Sequence, residues 1–109
     1  MDRTYKPLMA LLTMLIDTFG FLPLDVKIFE RADNKVVLSA SYPREPESES
    51  PEDHMMAIGY EMDLGYVIKS STDYVVYVEV VDAWPLIAIG VHNMGATWRV
   101  SAFYGKGAE

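Results

Sequence analysis

Apolar residues along this chain repeat in two rhythms, and each change of rhythm marks an element. Between residues 5 and 19, Leu8, Leu11, Leu12, Leu15, Ile16 and Phe19 recur at steps of three and four, which lines one face of a helix. Pro7 suits its first turn, Gly20 a left-handed stop, and Pro23 blocks continuation. The period then drops to two. "LDVKIFE" alternates Leu24, Val26 and Ile28 with Asp25 and Lys27, and "RADN" supplies turn residues. "KVVLSASY" sets Val36, Leu38, Ala40 and Tyr42 on one side and Val37, Ser39 and Ser41 on the other. Together these predict a hairpin.

The stretch from Pro43 to Asp53, "PREPESESPED", has nothing to bury and predicts a solvated acidic loop. At its end Ser50, Pro51 and Asp53 stand in the order of a helix start: a cap, a first-turn proline and a capping-box acid. A second helix is expected to about Leu64, with Met55, Ile58 and Met62 on one face and Gly65 as its stop. Gly59 weakens it, and "AIGYEMDLGYVI" also fits a strand.

The last third alternates clearly. Val76, Val78 and Val80 oppose Tyr77 and Glu79; Ile87, Ile89 and Val91 share a side; Trp98, Val100 and Ala102 oppose Thr97, Arg99 and Ser101. "DAWP" and "HNMG" are too short for parallel crossovers, so these three strands form an antiparallel meander, followed by a short tail at 105–109. The expectation is one α+β domain over residues 1–109. Its order is helix, strand, strand, helix, strand, strand, strand, with two helices on one face of a five-stranded, mostly antiparallel sheet. In element order the chain is similar to roadblock and longin domains. In opening with a helix followed by strands it resembles acidic type III secretion chaperones. Both resemblances imply partner-binding modules, and both families end in a C-terminal helix, for which residues 97–109 show no helical pattern.

Charge and composition remove several functions. Sixteen acids against nine Lys and Arg give a net charge of −7, which argues against binding nucleic acid through its phosphates, or an anionic membrane. No cysteine is present, which excludes disulfides, thiolate zinc sites and a Cys nucleophile, and leans towards the cytoplasm. The apolar run Leu8–Ile16 is far short of the ~20 residues that span a bilayer. Phosphate-loop, dinucleotide and serine-nucleophile motifs are missing, so neither a cofactor nor a catalytic residue is assigned and the expectation leans away from an enzyme.

The short run "WPLIAIGVHNMGATW" gathers Trp84, His92, Asn93 and Trp98, and strand–turn–strand chemistry accounts for it. His92 lacks a partner, because Asp82 falls at the far end of the preceding strand, ~20 Å away at ~3.4 Å per residue. His54 with Glu52 or Asp53 reaches a metal only if other ligands join them, so no metal site is assigned. What remains is surplus apolar surface on the C-terminal sheet. Tyr77, Trp84, Ile87, Ile89, Val91, His92, Arg99 and Phe103 form the candidate interaction surface. The leading expectation is a non-enzymatic protein-interaction module, homodimeric or binding another protein through a sheet face or edge. The alternatives are an acidic inhibitor or nucleic-acid mimic, and a small-ligand protein with Tyr77, Trp84, His92, Asn93 and Arg99 around a pocket near the 92–99 turn.

Overall fold

A computed structural model describes residues 23–31, 33, 35–45 and 49–105. The helix predicted over residues 5–19, the middle of the acidic stretch and the tail after Gly105 lie outside the described residues. Among the described residues, the strands are β1 (Asp25–Glu30), β2 (Lys35–Pro43), β3 (Gly65–Ser71), β4 (Val75–Val81), β5 (Leu86–Asn93) and β6 (Thr97–Gly105), and the helix is α1 (Pro51–Met62). Among the described residues this corrects the expected five strands to six, all antiparallel, with a single helix, so that part of the chain is mostly sheet; the first of the two expected helices falls outside it.

The strand added to the expected order is β3, in the stretch that also fits a strand. The helix ends earlier than its apolar pattern suggested, because Asp63 adopts a left-handed conformation (φ 52°) and Leu64 N–H donates to Gly59 O at 2.9 Å. Gly65, expected as the helix stop, instead opens the strand. At the other end the capping signals hold: Asp53 N–H donates to Ser50 Oγ at 3.2 Å, and Pro51 opens the helix. The acidic loop is shorter than its composition implied, since Pro43 belongs to β2 and Pro51–Asp53 to α1.

The sheet order is β1-β2-β6-β5-β4-β3, every neighbouring pair antiparallel. The β1–β2 hairpin leads into α1, which lies against β3, β4 and β5. A four-strand meander then returns so that β6 slots between β2 and β5. Alternation sends Leu38, Ala40, Val76, Val78, Val100 and Ala102 to the face that α1 covers, where they join Met55 and Ile58 in the core. Gly59 sits in the helix because Tyr66 of β3 packs there; a Cβ would come within 2.7 Å of the Tyr66 ring. The β5–β6 turn follows its chemistry: Gly95 takes φ 89°, its N–H donates to Asn93 Oδ1 at 2.9 Å, and Arg44 N–H donates to Ala96 O at 2.9 Å.

Candidate functional site

The candidate surface of the C-terminal sheet divides between two faces. A bulge between Leu86 and Ala88 inserts one residue into β5 and shifts its alternation by one. Leu86 therefore opposes Tyr104 in the core, and Ala88 opposes Phe103 on the outer face, the one turned away from α1. Past the bulge Ile89 and Val91 point under the helix and are 0% exposed, so they offer no surface. Ile87, expected on their side, instead lines an outer cleft of about 290 Å³ with Lys35, Tyr77, Glu79, Val80 and Ala88.

Tyr77, His92, Arg99 and Phe103 do share the outer face. Tyr77 opposes Gly90 and meets Phe103 edge-on at 5.6 Å between centroids, with the Arg31 guanidinium 5.5 Å from the Phe103 ring. His92 opposes Arg99 in β6 and Val75 in β4, so the strand register separates it from Asp82. Burial holds the His92 pKa below its ordinary value, and the Arg99 charge adds to this. Trp84 stands apart in the β4–β5 turn, 58% exposed, its ring occupying the space a Cβ at Gly105 would need. Of the five residues proposed to line a ligand pocket, only Tyr77 lines the cleft.

His54 plays a part that its neighbours in sequence did not announce. It is buried, stacks on Trp98 at 4.3 Å with 13° between the rings, and places Nδ1 2.8 Å from Glu49 Oε1. Burial holds its pKa below the usual imidazole value, with the Glu49 hydrogen bond and charge opposing. That hydrogen bond in turn holds the Glu49 carboxyl below its ordinary range, so a neutral imidazole donates to a carboxylate. Arg44 lies 5.0 Å from the Trp98 ring. The cluster fastens the first turn of α1 and the end of the acidic stretch to β6. A second acid of that stretch, Glu52, accepts from Ser71 Oγ at 2.8 Å. Among the described residues no group of three His, Cys, Asp or Glu is placed to hold a metal, and no helix is long and apolar enough to cross a membrane.

Exposed apolar surface gathers at the sheet's ends. Every residue of β1 is exposed. Val26 and Ile28, opposite Ala40 and Leu38, extend the core face past its cover and are 37% and 44% exposed, with Leu24 before them at 64%. Phe29 is exposed on the outer face. Arg31 N–H donates to Lys35 O, which sets the phase of the ladder: odd-numbered positions bond β2, and the N–H and C=O of Val26 and Ile28 point to the free edge. No sequence signal identified this edge, because the alternation of β1 is that of any half-buried strand and exposure depends on strand order.

Compared with known protein families, with curated proteins and with solved structures, the chain matches none. The likeness in element order to roadblock, longin and secretion-chaperone families gains no support there, and β3 alters the order on which it stood.

Proposed function

We propose that this chain is a non-enzymatic, cytoplasmic protein-interaction module that binds a second copy of itself or another protein through an edge of its sheet. One observation carries this reading. Among the described residues no strand pairs with the outer edge of β1, where the N–H and C=O of Val26 and Ile28 point outward beside the exposed side chains of Leu24, Val26, Ile28 and Phe29. Exposed edges of this kind attract strands, and natural proteins usually cover, charge or distort them. Strand addition at such an edge draws affinity from main-chain hydrogen bonds and specificity from alternate side chains. The middle of the sheet contributes less, since Ile89 and Val91 are enclosed within a single chain. A photoreactive residue placed at position 27 tests the reading in cells that produce the protein. The expected result is a discrete adduct from position 27 and none from position 60, where Tyr60 is exposed on α1. No adduct from β1 would overturn it.

A further inference from the structure

We propose that two copies of this chain join antiparallel through the free edge of β1, in the register that sets Val26 opposite Val26 of the second copy. This pairing rests on the interaction-module reading above and names its partner. Two-fold symmetry then fixes every other contact. Leu24 meets Ile28, Asp25 meets Lys27 and Pro23 meets Phe29, each pair occurring on both sides of the axis. The stretch "PLDVKIF" is thus complementary to its own reverse, apolar against apolar and acid against base. Residues directly opposite in an antiparallel pair point to the same face, so Val26 and Ile28 of both copies continue one core face across the junction.

The backbone agrees with this register. Val26 and Ile28 turn their N–H and C=O to the free edge, where the new ladder needs them. Pro23, which has no N–H, falls at an odd position, where the free edge loses nothing. Leu24 N–H is held by Ser41 O at 2.7 Å, so the new bonds centre on Val26 and Ile28.

Neighbouring registers are disfavoured by charge. The smallest slide that keeps the hydrogen-bonding phase sets Lys27 against Lys27 in one direction and Asp25 against Asp25 in the other. Within one chain Asp25 and Lys27 form an exposed ion pair at 3.9 Å, which the oppositely placed Lys27 and Asp25 of the other copy extend into a four-charge cluster of alternating sign. The short edge buries less than the roughly 1,200 Å² of a standard interface, which defines a weak, exchangeable dimer.

Sedimentation of the full chain over a concentration series is the test. The wild type is expected to show a monomer–dimer equilibrium. Asp25→Lys and Lys27→Asp should each weaken it about tenfold or more, because either change turns both attractive pairs into repulsive ones. Mixed together, the two variants should form heterodimers of wild-type strength, and the double swap should restore the homodimer. Circular dichroism of each variant should be unchanged, both positions being exposed. Self-pairing is overturned by a wild type that stays monomeric at its highest soluble concentration. It is also overturned by dimers that ignore both substitutions, or by a mixture that fails to associate. A monomeric wild type that still cross-links another protein from position 27 sinks self-pairing alone, whereas the loss of both results removes the interaction-module reading as well.

Discussion

β3 ends the sheet on one side with a break in register at Lys69, a Lys69–Glu79 ion pair and a helix lying alongside; β1 ends it on the other side in unbroken register. Both strands carry exposed apolar residues, Val67 and Ile68 in one, Val26 and Ile28 in the other. The difference lies in the backbone. A bulge spoils the even spacing that an incoming strand must match, and a lysine at the bulge adds a charge that such a strand would have to meet. At β1 the charges nearest the middle of the edge are Asp25 and Lys27, of opposite sign on either side of Val26. One edge refuses company, and the other accepts a strand of one particular pattern.

The largest effect that erases this contrast comes from Gly59, which seats Tyr66 and so holds α1 against β3. Gly59→Ala gains ~1 kcal/mol of helix propensity. It also forces a Cβ into the Tyr66 ring, and overpacking of this kind costs about 1–3 kcal/mol. The expected outcome is a net loss, read as a lower urea midpoint; a higher midpoint would show that the ring moves aside freely.

Acid is expected to loosen the other anchor of α1. The folded-state pKa of His54 lies below 6.5 because burial disfavours imidazolium, and His92 is shifted the same way. The unfolded chain therefore binds more protons as pH falls below about 6.5, and stability declines in that window. Glu49 has the same sign at lower pH: its contribution is present above the ordinary carboxylate range and is lost as pH falls through its depressed value. Urea midpoints at neutral pH and in mild acid measure this. His54→Phe keeps a ring against Trp98 but cannot titrate, so it should flatten the slope; an unchanged slope would assign it to other groups.

The smallest effect on stability belongs to β1. Val26→Pro removes an N–H that points away from β2, so the fold should stay within about 0.5 kcal/mol of wild type while self-association disappears. A large loss of stability would mean that β1 is not a free edge.

Much of this architecture could be read from the chain beforehand, and the failures have local causes. The β1–β2 hairpin, the Ser50 cap and the inward phases of β2, β4 and β6 follow from alternation and capping chemistry. β3 stayed only an alternative because Tyr66, Val67 and Ile68 are consecutive rather than alternating, and because the Asp63–Leu64–Gly65 stretch looks like one helix ending. Ile87 was assigned to the wrong face because a bulge leaves no mark on a run already apolar at Leu86, Ile87, Ala88 and Ile89. The edge at β1 was hidden for a different reason. Nothing in "LDVKIFE" says whether a second strand will lie beside it, which is decided by where β6 inserts. The stack of His54 on Trp98 joins residues distant in sequence, so no spacing motif could announce it.

The position of β6 has a consequence for how the chain is made. Without residues 97–105, β1 and β2 form a stranded hairpin and β3, β4 and β5 a separate sheet, with no strand pairing between the two among the described residues. A ribosome that has not yet released this last strand therefore holds two incomplete fragments with matching gaps. Assembly must wait for the keystone segment, and until it emerges the unsatisfied sides of β2 and β5 are the surfaces most in need of a chaperone.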